Sequence, residues 1–226
     1  MAAERTETKA TIGVLGGAGV LACAHAHQQL VRRCWELGAR DDQDWPPLLL
    51  DNRPMAHLHA QGYDHEDRSA LRMELSARVS ALTAQGAAVI LPVCNTITSL
   101  LPMTEAEIIS LPGTALQSAH DAGAERVGVL SSRRAVAEQI FADHRLEVIT
   151  YPELQGQVDQ LIEALIGGYD LEGSRRQLTK IIDELPEQYV IIGCTELSMV
   201  CDIETDKQLI DALTEGINAA IRWEAA

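Results

Sequence analysis

The sequence predicts an α/β protein of two related lobes, each a mostly parallel sheet flanked by helices. Three observations carry this. Short aliphatic runs alternate with longer amphipathic stretches, the pattern of βαβ units. Two of the runs are near copies, Thr11-Ile-Gly-Val-Leu15 and Arg126-Val-Gly-Val-Leu130. Each half then reaches a cysteine just past its last strand, Cys94-Asn95-Thr96 in one and Gly193-Cys194-Thr195-Glu196 in the other.

In order, Thr11 to Leu15 reads as a buried strand ending at Gly16-Gly17-Ala18-Gly19, and Val20 to Leu37 as a helix. Pro46 to Leu50 gives a second strand. His65 to Gln85 gives a helix with Leu71, Leu75, Val79 and Leu82 at helical spacing. Ala87 to Val93 is a third strand and runs straight into Cys94. The second half replays this order: strand 126–130, Ser131-Ser132 where Gly16-Gly17 stood, helix 134–143 and strand 146–150. Helices 158–166 and 175–185 follow, then strand 189–192 before Cys194, and a last helix over 206–223. From Gly13 to Cys94 is 81 residues and from Gly128 to Cys194 is 66, so the halves match in order rather than in length. The expected fold is a pair of pseudo-symmetric Rossmann-like lobes with the active site in the cleft between them.

Composition narrows the partners. Hydrophobic residues make up 46% of the 226 and charged residues 23%, ordinary for a globular domain. With one Phe, three Trp and four Tyr, aliphatic side chains must build the core. A formal net charge of −15 argues against a nucleic-acid surface and gives no steering to an anionic ligand, which local groups must hold. The polar start MAAERTETKA has no signal-peptide core and no run is long enough to span a bilayer, so a cytoplasmic protein without a membrane partner is expected. Five scattered cysteines suit reduced thiols, and with no CxxC or HxxxH pair no metal site is expected.

Ligands of open parallel sheets bind beyond the carboxyl ends of the strands, where strand order reverses. Cys94 and Cys194 both stand at such an end, one per lobe. If the lobes face each other, the two thiols approach one cleft from opposite sides. That is what inversion of a stereocentre needs: one group takes the α-proton and the other returns a proton to the opposite face. A thiol, with an ordinary pKa of about 8.5, suits the task better than Ser or Lys, and a helix N-terminus could lower it further. Asn95, Thr96 and Thr195 beside them could cradle a carboxylate, and Gly17, Ser131 and Ser132 stand at the matched turns. A lone cysteine after a strand is usually an inert buried hydrophobe; the paired positions in matched halves favour chemistry. Cys23, Cys34 and Cys201 read as structural. His57, His59 and His65 share one polar loop, either a lid over the cleft or plain surface.

IGVLGGAG at residues 12–19, CNT at 94–96 and GCTE at 193–196, in this order over residues 11–223, resemble the aspartate/glutamate racemase superfamily, with CTE rather than CTH nearer its aspartate-racemase members. The resemblance implies a cofactor-independent amino-acid racemase or epimerase with Cys94 and Cys194 as its two bases, a small amino acid or carboxylate as substrate, and a homodimer. It places residues 1–101 and 206–226 in a first lobe carrying Cys94, and 102–205 in a second carrying Cys194. Gly17, Asn52, Arg53, Ser131, Ser132 and Glu196 join the substrate-binding candidates.

The sequence also departs from that pattern. The turn lacks the Met and Pro of GGMGP, CNT is followed by Ile97-Thr98 instead of Ala-His, and Ser131-Ser132-Arg133-Arg134-Ala135 replaces ATxGT. Asp51-Asn52-Arg53-Pro54 lacks the PDR pattern, and Leu165-Ile166-Gly167-Gly168 carries no Lys where one is associated with the distal carboxylate of the substrate. A substrate other than aspartate, with a neutral side chain, is one expectation. The alternatives are a maleate-type cis–trans isomerase with a covalent cysteine, and a non-catalytic carboxylate-binding member. An arylmalonate decarboxylase, with its single cysteine, fits two retained cysteines less well.

Overall fold

The computed structural model describes residues 9–59, 62–168 and 170–223. Its elements are β1 (Ile12–Leu15), α1 (Val20–Glu36), β2 (Leu48–Asp51), α2 (Arg68–Ala84), β3 (Val89–Pro92), β4 (Glu107–Ile108), α3 (Leu111–Asp121), β5 (Arg126–Leu130), α4 (Arg133–Ala137), β6 (Glu147–Ile149), α5 (Gln155–Ile166), α6 (Leu171–Asp183), β7 (Tyr189–Ile192), β8 (Gln208–Asp211) and α7 (Ala212–Arg222). Single 3₁₀ segments, Asn95–Leu100 and Leu197–Val200, follow the two cysteines.

The two sheets have the same topology. The first runs β2-β1-β3-β4 and the second β6-β5-β7-β8, with every pairing parallel. The central strands are apolar along their whole length because helices cover both faces: all of Ile12–Leu15 and Val89–Pro92 is buried. Chain order reverses between β1 and β3 in one sheet and between β5 and β7 in the other, which puts Gly16–Gly19, Cys94, Ser131–Ser132 and Cys194 at the two switch points.

The pairing moves both expected seams. β4 belongs to the first sheet, so that sheet extends beyond residue 101, and β8 belongs to the second, so that sheet extends beyond 205. The stretch read as one helix from 206 is a strand and then a helix, because Asp211 is an N-cap accepting from the Leu213 and Thr214 N–H groups. Similarly, α4 is only five residues long and stops well short of 143.

The helix after each fourth strand crosses to the opposite lobe. α3 packs on β7 and β8, whereas α7 packs on α1 and β3, and the two helices pack on each other. One apolar cluster therefore runs through both lobes, from Val14, Ala26 and Leu30 through Leu111, Ala115 and Ile217 to Val129 and Ile191. Separate clusters lie under α2, around Leu71 and Leu75, and under α5 and α6, around Leu161 and Ile181.

Candidate active site

Each cysteine is delivered by a central strand that leaves its sheet at the switch point. The strands face each other, and the residues on either side of the two thiols are stitched across the cleft. Asn95 Nδ2 donates to the Gly193 carbonyl at 2.9 Å, and in the reciprocal position the Thr195 hydroxyl reaches the Val93 carbonyl at 3.5 Å, a weak contact. The residue after each cysteine thus reaches the carbonyl before the other. Ser131 Oγ also donates to the Gly193 carbonyl, at 2.6 Å, and the Thr96 and Ser132 hydroxyls are 2.9 Å apart.

A small cavity of about 110 Å³ lies between the lobes and is lined by both cysteines. Of the residues expected from sequence, Gly17, Asn95, Thr96, Ser132, Thr195 and Glu196 line it with them. Ser131 stands one layer back, on the Gly193 carbonyl. Asn52 and Arg53 do not line it. Asn52 braces the glycine turn, accepting from Gly17 N at 3.0 Å and donating to the Val20 carbonyl at 3.1 Å. Arg53 turns outward to fork onto Asp51.

The two thiols sit in unlike fields. Cys194 is buried, and its S–H donates to Glu196 Oε2 at 3.0 Å. Cys94 is partly buried, and among the described residues no carboxylate is bonded to it; the backbone N–H groups of Ile97 and Thr96 and the Thr96 hydroxyl favour its thiolate instead. Burial pushes the Cys94 thiol up to about 12, with the Glu196 charge adding to it and the two N–H groups opposing it. Burial also raises Cys194 well above the usual thiol range, followed by the charge of Glu196 and the hydrogen bond to it. Glu196 is itself buried, which raises its carboxyl pKa.

Glu196 fixes the shape of the opposing turn. Gly17 and Gly19 have φ of 90° and 88°, the left-handed region that favours glycine. A Cβ on Gly19 would overlap Glu196 Oε1, so the glycine lets the second lobe's carboxylate seat against the first lobe.

Sequence reasoning missed two supports. Arg78 of α2 is 4% exposed; it bonds both Asp51 carboxylate oxygens and the Gly16, Asp51 and Arg53 carbonyls, tying the glycine turn to β2. An arginine in phase with the apolar residues Leu71, Leu75 and Leu82 was the available signal. The second support is Glu138, just past α4. It accepts from Tyr63 at 2.6 Å and Ser99 at 2.7 Å, and pairs with Arg68 and Arg134.

That clasp holds the histidine loop of the first lobe across the cleft. Leu58, His59 and Gly62 line the cavity, with His59 and Gly62 bonded backbone to backbone. His57 pairs with Asp67 at 2.8 Å, and His65 is exposed. Among the described residues, the group that could hold a metal is His59, Asp64 and Asp67, with ligand atoms within 4.8 Å of one another on this partly exposed loop.

Two equivalent sheets with their central strands converging on one cleft define a two-lobed α/β protein with a paired-thiol site. The chain belongs to the Asp/Glu/Hydantoin racemase family, whose model matches residues 12–220. In structure it is similar to an aspartate racemase from Picrophilus torridus, with a TM-score of 0.78, 17% identity and 94% and 93% of the two chains covered. It is also similar to a putative Asp/Glu racemase from Yersinia pestis, with a TM-score of 0.70, 20% identity and 94% and 97% covered. In sequence it is 29% identical over 129 residues to an uncharacterized protein in the pnlA 3' region of Pectobacterium carotovorum subsp. carotovorum, spanning 52% of this chain and 85% of that one. The same fold extends to an allantoin racemase and an arylmalonate decarboxylase, so fold alone does not fix the reaction.

Proposed function

We propose that the protein is a cofactor-independent racemase or epimerase that inverts a carbon next to a carboxylate by proton transfer between Cys94 and Cys194. The observation that carries this reading is that two thiols, at equivalent ends of two equivalent sheets and one from each lobe, line the same small cavity. In one direction the Cys94 thiolate takes the α-proton, the C–H electron pair delocalises into the substrate carboxylate, and the Cys194 S–H returns a proton to the opposite face. The cycle leaves Cys94 as thiol and Cys194 as thiolate, and the reverse reaction exchanges the roles. No electrons leave the substrate and no co-reactant is consumed. The side chains of Asn95, Thr96, Ser132 and Thr195 hold the carboxylate, and Glu196 receives the Cys194 proton when that sulfur must act as base. We further propose that the protein works in the cytoplasm as a homodimer; sedimentation tests the assembly.

Incubation with amino acids in deuterated buffer tests the reaction. Deuterium should enter the α-position of a substrate, and Cys94→Ser and Cys194→Ser should each lower racemisation by about 10²–10⁴-fold. No α-exchange on any amino acid overturns the reading. A persistent covalent adduct on Cys94 would replace it with a covalent isomerase, and tight binding without exchange with a binding protein.

A further inference from the structure

The charges around the cleft constrain the substrate's side chain. Among the described residues lining the cavity there is no lysine or arginine. The arginines around it are already paired. Arg53 and Arg78 share Asp51, Arg133 pairs with Asp159 at 2.8 Å, and Arg134 lies 4.2 Å from the Tyr63 ring centre while bonding Glu138. His59 stands exposed at the rim, its ligand atom within 4.8 Å of those of Asp64 and Asp67. Among the described residues that line the cavity, the carboxyl is that of Glu196.

The polar groups Asn95, Thr96 and Thr195 follow the two sulfurs in sequence, and Ser132 joins them in lining the cavity. A carbon exchanging its proton between the sulfurs places its own carboxylate on those groups. What remains for the side chain is the wall of Ala18, Leu58, Ile162 and Ile166. A second carboxylate there would lose its water, meet no cation and face Glu196. An ion buried without a partner costs several kcal/mol. The cavity, about 110 Å³, holds a small amino acid rather than a large one.

We infer that the substrate is an amino acid with a small, uncharged side chain seated against Leu58, Ile162 and Ile166, and that aspartate and glutamate are discriminated against. This rests on the two-thiol reading of the cleft. Ile166 is the specificity position most open to change, because at 37% exposure it edges the cavity without being part of the deep core.

The test measures α-deuterium exchange by NMR for alanine, serine, valine, aspartate and glutamate, with the wild-type chain and Ile166→Lys. At least one neutral amino acid should exceed both acidic ones in kcat/KM by about 100-fold. Ile166→Lys, with an unchanged Tm, should narrow that ratio by about tenfold by supplying the missing cation. Wild-type exchange as fast on aspartate or glutamate as on the neutral compounds overturns this inference and leaves the two-thiol reading standing. A ratio that Ile166→Lys leaves unmoved overturns the wall's role in specificity. Exchange on none of the five, and on no other amino acid, overturns the reading and the inference with it.

Discussion

Cys94 and Cys194 occupy the same place in two copies of one topology, yet their surroundings are not alike. The first lobe offers its sulfur backbone N–H groups, from Thr96 and Ile97, which favour the thiolate. The second offers a carboxylate, Glu196, which accepts the Cys194 S–H and favours the thiol. A symmetric scaffold therefore surrounds its two thiols asymmetrically, and under the proposed mechanism this difference favours Cys94 as base and Cys194 as acid. The difference comes from the residues after each cysteine: Asn95-Thr96 leads into a 3₁₀ segment whose N–H groups face the sulfur, and Thr195-Glu196 brings a side chain back onto it.

The largest expected effect breaks the pair itself. Each of Cys94→Ser and Cys194→Ser should lower racemisation by about 10²–10⁴-fold, since each removes a placed proton-transfer group. A variant keeping near-full activity in either case would show that the halves do not act together. Next comes the support of the first-lobe turn. Asp51→Asn removes the nearer counter-charge of the buried Arg78 guanidinium and leaves it Glu74 at 3.5 Å, which should cost about 1–3 kcal/mol of stability by denaturant unfolding. The same pair sets the acid limit. The Arg53 and Arg78 guanidiniums hold the Asp51 carboxyl well below its usual range, so its contribution is full above the unfolded carboxylate pKa of about 3.9 and is lost as pH falls below it. Wild type should lose stability in acid more steeply than Asp51→Asn.

A smaller effect sharpens the asymmetry. Glu196→Gln should lower kcat/KM by about tenfold for both enantiomers alike, since their equilibrium constant is one, with the loss falling on kcat more for the direction in which Cys194 accepts the proton. Because the Glu196 charge raises both thiols, the variant should also alkylate at lower pH, read as iodoacetamide rate against pH. In wild type both sulfurs titrate above the ordinary thiol range, so the thiolate fraction and with it kcat/KM should still be rising at about pH 8–9. An acidic optimum would assign the base elsewhere. The smallest effect is that of Glu138→Gln. It leaves one acceptor oxygen where Tyr63 and Ser99 each had their own and loses the ion pairs to Arg68 and Arg134, and should cost about 1 kcal/mol. If the histidine loop is a lid, this variant should raise KM more than it lowers kcat.

Much of the fold was legible along the chain. Runs such as Ile12–Leu15 and Tyr189–Ile192 are apolar because both faces of a parallel strand are covered, and this marks them in sequence. The pieces that escaped carry little local signal. β4 is two residues long, and β8, Gln208–Asp211, is partly exposed at a sheet edge and runs into α7 without a break. The seams misplaced at 101 and 205 follow from those two strands. Asn52 and Arg53 were expected at the site from the family resemblance, but they follow β2, the outer strand, one place from the switch point, and its carboxyl end points at the supporting turn.

By itself the sequence determined that there are two related halves, that a cysteine closes each, and that the groups expected to bind a distal carboxylate are missing. Strand periodicity and short motifs are local, and a single chain displays them. The tertiary structure decided how the halves meet: Asn95 on the Gly193 carbonyl, Glu196 against Gly19, and Ile166 on a wall without a cation. Those contacts join residues roughly 70 to 180 positions apart in the chain. Their existence depends on the packing of α3 and α7 between the sheets, which no local pattern encodes.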